Sequence, residues 1–198
     1  MYKVYYNNNF LLISDKSTKC NACLPINIID NLFIDEFTDD SIDNNYIFIT
    51  DNIDNALDKL KIYLNYIKAA GGLVLNSKKE ILLIKHYNVW DLPKGWIGKG
   101  EDEKTCALRE IKEECGISKH KIINKLADTF HIYKHSGKLN LKHTVWFLMS
   151  YNSNETLIPQ TEEDISEIVW VPIPDLPNYY ENMYSSIVDI LLKHTSHL

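Results

Sequence analysis

Arginine is almost absent from this sequence: twenty of its twenty-one basic residues are lysines, and the exception is Arg109. Long apolar runs are absent too. No stretch of about eighteen apolar residues exists, so no transmembrane helix and no membrane partner are expected. The first residues, Met1 to Asn9, are polar and tyrosine-rich without a secretory apolar region, and the cytoplasm is the expected location. Cysteine is scarce. Cys20, Cys23, Cys106 and Cys115 are too few and too unevenly placed for a disulfide scaffold. Cys20 and Cys23 form a lone CxxC. It lacks the second pair or nearby His ligands of a structural zinc site and the βαβ surroundings of a redox motif, so it reads as two ordinary thiols near a loop. Positive charge is in deficit, with a formal net charge of −6. The chain as a whole repels polyanions, so a nucleotide would need a local basic patch or metal ions.

What the sequence does have is enough apolar material for a core, 45% over 198 residues, in one domain or one domain with a substantial extension. Tyr2–Tyr6 and Phe10–Ile13 read as a β-hairpin across Asn7-Asn8-Asn9. A short helix is expected near Ile26–Phe33 and a short strand at Tyr46–Thr50. Ile53, Leu57, Leu60, Leu64 and Ile67 recur at helical spacing, which predicts a helix from Asp51 to Ala69, capped by Thr50 or Asp51 and stopped by Gly71-Gly72. Strands are expected at Gly72–Leu75, Ile81–His86, Lys125–Tyr133, Leu139–Tyr151 and Glu167–Val171. Helices are expected at Asp102–Cys115, ended by Gly116, and at Tyr179–His194. This order suggests an α/β protein of the α+β type, with a mixed sheet between helical layers.

The chemistry gathers in the segment Gly95 to Ile117. On a helix Glu110, Glu113 and Glu114 stand at i, i+3 and i+4 and share one face. Such like-charged neighbours repel by about a few tenths of a kcal/mol per pair, which makes sense where a cation sits between them. Carboxylate oxygens select a hard divalent ion over zinc. By themselves the three glutamates fit a solvated acidic helix face equally well. The sole arginine sits directly before them, where a planar fork of donors does what lysine cannot.

Nine positions of this segment, Gly95, Glu101, Arg109, Glu110, Ile111, Glu113, Glu114, Gly116 and Ile117, carry a resemblance to the signature of the Nudix hydrolase family, which extends over about residues 70–175. The resemblance implies a Nudix α/β/α sandwich for residues 69–198, with residues 1–68 as an N-terminal α/β extension. It implies that Glu110, Glu113 and Glu114 bind Mg2+ or Mn2+, that Arg109 positions a catalytic glutamate, and that Glu101 assists. Glu162 and Glu163 are candidates for a further acid or base from a distant loop.

The lead-in Leu92-Pro93-Lys94-Gly95 resembles the dinucleoside polyphosphate and RNA 5′-pyrophosphate branches, although Trp96 stands where those enzymes often have His. The substrate-side candidates are Lys94, Gly95 and Trp96, with Lys134 and Lys142 from a basic stretch at Lys134–His143. The expected function is metal-dependent hydrolysis of a phosphoanhydride in a nucleoside polyphosphate-type compound. The alternatives are an ADP-ribose, nucleotide-sugar or oxidised-nucleotide pyrophosphatase, and a non-catalytic nucleotide-sensing module. The expected partner is a phosphorylated small molecule. Nucleic acid is not expected, an RNA 5′ end excepted, and a homodimer is left open.

Overall fold

Alternate residues along the central strands point to opposite sides, and that two-residue period organises the C-terminal part of the chain. The computed structural model describes residues 1–196, so the last two residues of the expected 69–198 domain lie outside it. The elements are β1 (Tyr2–Tyr6), β2 (Asn9–Ser14), β3 (Cys23–Ile26), α1 (Asn31–Phe37), β4 (Asn45–Ile49), α2 (Ile53–Tyr63), β5 (Asn65–Asn76), β6 (Glu80–His86), β7 (Val89–Asp91) and β8 (Lys94–Trp96). There follow α3 (Glu103–Cys115), β9 (His120–Lys125), β10 (Thr129–His135), β11 (Lys138–Tyr151), β12 (Ile165–Pro172) and α4 (Ser185–Thr195), with 3-10 turns at Thr161–Glu163 and Ile173–Asn182. No helix among the described residues is long and apolar enough to cross a membrane. The chain forms two compact units. Unit 1 is Met1–Ile67 with Thr129–His143, and unit 2 is Lys68–Asp128 with the chain from Thr144 onward.

In unit 1, β1 and β2 form the expected hairpin, pairing from Tyr2↔Ile13 to Tyr6↔Asn9. Asn7 takes the left-handed backbone of the turn, with φ 51°. The strand order is β10-β1-β2-β4-β3, in which β1 runs parallel to β10 and β4 parallel to both β2 and β3. Val4, Tyr6, Leu11 and Ile13 pack with Phe33, Ile34 and Phe37 of α1, and with Ala56, Leu57 and Leu60 of α2.

In unit 2 the order is β12-β6-β5-β11, with β7 on β6, β8 on β5 and β9 on β11. Leu82 and Ile84 cluster with Val74, Phe147 and Met149 and with Cys106, Ala107, Ile111 and Cys115 of α3. Their strand neighbours Ile81 and Leu83 cluster instead with Leu73, Trp146 and, from α4, Ile187, Ile190 and Leu191. Each fully buried side chain of this size contributes about 1.5–3 kcal/mol. The sheet thus carries a helix on each face, the α/β arrangement expected.

Several boundaries differ from the sequence reading. The first helix is Asn31–Phe37 rather than near Ile26–Phe33. Cys23–Ile26 is claimed as a strand by β4, and Asp30 caps the helix by accepting from the Phe33 N–H at 2.9 Å. The second helix starts after Asn52 and ends at Tyr63, not Ala69. The residues that follow are β5: Ala69, Ala70 and Gly71 pair with Trp96, Gly95 and Lys94. Gly71 is there for close approach, since a Cβ on it would lie 2.3 Å from the Pro93 carbonyl oxygen. The expected strand Lys125–Tyr133 is two, β9 and β10. The last helix starts at Ser185 rather than Tyr179, and the start of the expected range belongs to the 3-10 segment that ends at Asn182. Cys20 and Cys23, read as separate thiols, form a disulfide across a turn with Cα atoms 5.4 Å apart.

Candidate active site

Helix α3 is fixed at both ends by its own sequence. Asp102 accepts from the N–H groups of Lys104 (2.9 Å) and Thr105 (3.0 Å). Gly116 closes the last turn in left-handed backbone, φ 73°. Its buried stripe of Cys106, Ala107, Ile111 and Cys115 also includes Glu110 and Glu114, which are only 6% and 5% exposed, whereas Glu113 is exposed. Burying a carboxylate is costly unless positive charge or N–H groups answer it.

Those answers come from two places. Arg109 is a hub. Its Nε and Nη2 donate to the two oxygens of Glu101 at 2.8 and 2.9 Å, a fork-to-fork pair. Its Nη1 lies 2.6 Å from Glu110 Oε1 and 2.8 Å from Glu113 Oε2, and its Nη2 also donates to the Trp96 carbonyl at 3.0 Å. The second place is β8. The Lys94 backbone N–H donates to Glu114 Oε2 at 2.8 Å. At Gly95 the chain passes so close to Glu110 that a Cβ would stand 2.0 Å from its Oε2.

The carboxyl groups respond differently. Arg109 donation, with the Gly98 N–H, holds Glu101 at about 2, well below the usual range. Burial pushes Glu114 up to about 8, against the lowering effect of the Lys94 charge and N–H. Burial also raises Glu110. Arg109 opposes this, while Glu113 and Glu163 add to it. The thiol of Cys106 is driven to about 12, first by burial and then by Glu101 and Glu110, and is inert.

The distant acidic turn is nearby. Gln160 N–H donates to the Glu114 carbonyl at 3.3 Å, and its Nε2 donates to Glu163 at 3.1 Å. Glu163 is therefore within electrostatic reach of Glu110, with Glu162 exposed on the same turn. Among the described residues no three His, Cys, Asp or Glu side chains converge as a set of metal ligands. In this arrangement Arg109 spans Glu101, Glu110 and Glu113. The donor chemistry nevertheless fits a hard divalent ion. It offers carboxylates on successive turns, two of them buried beyond what the neighbouring charges compensate, and Gly95 keeps the space beside Glu110 clear of a side chain.

Comparison with known proteins identifies the family. The family model described as NUDIX domain matches residues 65–189.

The chain belongs to the Nudix family.

Among curated relatives, an RNA pyrophosphohydrolase from Ruthia magnifica is 32% identical over 155 residues, covering 65% of this chain and 85% of that protein. Nudix hydrolase 7 of Arabidopsis thaliana is 29% identical over 142 residues. The chain spans about half the length of that relative, 48%. Among solved structures, a C. elegans Ap4A hydrolase in a binary complex matches at 25% identity and a TM-score of 0.53, covering 66% of this chain and 96% of the other.

Within this Nudix chain the substrate-side candidates are not alike. Trp96 is 63% exposed beside the Arg109 hub. Lys94, a substrate-side candidate in the sequence, has a side chain only 10% exposed and bound to Asp91. Lys134 and Lys142 belong to unit 1, not to the unit of the glutamates. There Lys134 donates to the Thr38 carbonyl at 2.9 Å and to Asp40 at 3.3 Å, so the basic stretch is partly neutralised within its own unit. Asp91 was missed in the sequence. Its only signal there is an opposite charge three residues before Lys94.

Proposed function

We propose that this protein is a metal-dependent Nudix pyrophosphohydrolase that cleaves a phosphoanhydride bond in a nucleoside polyphosphate-type substrate, with dinucleoside polyphosphates first among the candidates. The supporting observation is the acidic face of α3 tied through Arg109 to Glu101 inside the family-matched segment. In this reading Glu110, Glu113 and Glu114 hold the ion. Magnesium or manganese, when bound, supplies charge neutralisation at phosphate and activation of water. Arg109 fixes Glu101 and restrains Glu110 and Glu113, so that the carboxylates keep their places as substrate enters. The backbone at Gly95 lets phosphate approach closely, and the exposed Trp96 indole offers a stacking face for a base. Glu163, with Glu162 beside it, is the candidate for moving a proton at the attacking water. Residues 1–68 are read as an extension to the catalytic domain of residues 69–198.

An RNA 5′ end is the second substrate class, favoured by the name of the Ruthia magnifica relative. The test is a panel of dinucleoside tetraphosphate, 5′-triphosphorylated RNA, ADP-ribose, nucleotide sugar and oxidised nucleotide, hydrolysed in oxygen-labelled water with magnesium or manganese. The highest kcat/KM names the substrate, and the labelled product names the attacked phosphorus. The Glu114→Gln variant should fold as the parent does and lose nearly all turnover. Full activity in that variant, or binding without turnover of any compound by the parent, would sink the proposal.

A further inference from the structure

A lysine that meets substrate phosphate has to present its ammonium to solvent, and Lys94 does the reverse. Its side chain is 10% exposed, and its Nζ lies 2.5 Å from Oδ2 of Asp91, which is 2% exposed. Freeing that ammonium for a ligand would leave the Asp91 carboxylate buried and uncompensated, one of the costlier events in a protein interior. The pair is closed over a short span of chain, Asp91-Leu92-Pro93-Lys94, that links β7 to β8.

Both ends of the span are clamped. Asp91 pairs with Ile84 across β6–β7, and its Oδ1 accepts from the Leu92 N–H at 2.7 Å. Lys94 pairs with Gly71 across β5–β8, and the Pro93 carbonyl accepts from the Gly72 N–H at 3.1 Å. A side chain on Gly71 would run into the Pro93 oxygen and the Lys94 Cβ, which fixes how deeply the span sits. What the clamp holds in place is the Lys94 backbone N–H on Glu114 Oε2. The ammonium of the same residue is paired with Asp91 and lies within electrostatic reach of Glu114 and Tyr184, and its positive charge is one of the two influences that offset the burial of Glu114.

We propose that Asp91 and Lys94 are a positioning pair for Glu114, and that Lys94 does not contact substrate. This inference rests on the functional reading above, in which Glu114 is one of the ion-holding carboxylates. Groups that orient a ligand in this way typically change activity or metal affinity by about 10- to 100-fold when removed.

Two single variants separate positioning from phosphate contact. Lys94→Met removes the ammonium, whereas Asp91→Asn keeps it and releases it. Positioning predicts the same outcome for both: kcat falls by about 10- to 100-fold, KM stays near the parent value, and the manganese affinity of the substrate-free protein, read by titration calorimetry, falls to the same degree. Because the two act as a unit, Asp91→Leu combined with Lys94→Met should be no worse than the poorer single variant. That apolar pair also serves if a single variant does not fold, since replacing both partners of a buried pair is often neutral for stability. It should then have a parent-like Tm with reduced kcat and reduced manganese affinity. A raised KM in Lys94→Met alone, with Asp91→Asn parent-like, would overturn the proposal in favour of phosphate contact. Parent-like kcat and manganese affinity in the folded variants would overturn it outright. If the parent turns over no phosphoanhydride, the functional reading fails separately, and the manganese affinities alone decide the pair.

Discussion

Arg109 does several jobs that lysine cannot combine. It meets both oxygens of Glu101 with two nitrogens, reaches Glu110 and Glu113 with a third, and still caps the Trp96 carbonyl. A lysine ammonium is one point with three donors and cannot hold that planar set. Arg109→Lys should therefore keep the charge and the fold but lower kcat by about 10- to 100-fold, as losses of orienting groups do. Steady-state kinetics beside circular dichroism would check this, and unchanged kcat would mean that the fork is dispensable. The importance of Arg109 was legible in the sequence, because an isolated arginine in a lysine-rich chain sits at a motif position. The burial of Lys94 was not. Its partner is only three residues away, but the span that holds the two together is pinned by pairing with β5 and β6, which no local pattern encodes.

At the scale of elements, α3 was readable end to end because cap, apolar spacing and terminal glycine all agree. The start of β5 was not readable. Ala69-Ala70-Gly71-Gly72 looks like the end of a helix until β8 is there to pair with it. The junction of α3 with β9 carries a prediction of its own. His120 on β9 is 6% exposed and donates from Nε2 to the Leu108 carbonyl at 3.0 Å. Burial lowers its pKa below the usual 6.5, and the Leu108 bond and the Glu155 charge offset this only partly. In the unfolded chain the imidazole gains its proton at about 6.5, before it does so in the folded protein. Between those two pH values the unfolded state binds more protons, so stability rises with pH. The contribution of neutral His120 is complete above about 6.5 and is lost as pH falls through the folded value. An NMR titration of the imidazole, assigned with His120→Gln, should place its midpoint below 6.5, and urea unfolding should show the parent losing its advantage over that variant as the solution is acidified. A midpoint at or above 6.5 would contradict the burial argument.

At the scale of the whole molecule, the N-terminal extension does not end where its sequence does. Residues 129–143 belong to unit 1, although they follow α3 in the chain. Phe130, Ile132 and Leu141 are buried in one cluster with Val4, Tyr6, Leu11 and the helices α1 and α2. Strand β10 takes β1 as a parallel partner, from Val4↔Phe130 to Tyr6↔Ile132. Nothing in the hydrophobic pattern of residues 129–143 announces this, because a strand's alternation says which face is buried and not which strand will bury it. A boundary at residue 68 falls just inside the family-matched segment, which begins at residue 65, and it cuts through a core. A chain beginning at Lys68 would keep Phe130, Ile132 and Leu141 and lose every residue 1–67 that covers them. Each such side chain returned to water forfeits about 1.5–3 kcal/mol, and β10 becomes an open edge that invites pairing between chains. The truncated chain should bind a hydrophobic dye, sediment as aggregates and unfold well below the parent Tm, whereas the full chain should do none of these. A truncated chain that stays monomeric, excludes the dye and turns over substrate at the parent rate would show instead that residues 129–143 can bury their apolar face without the N-terminal segment.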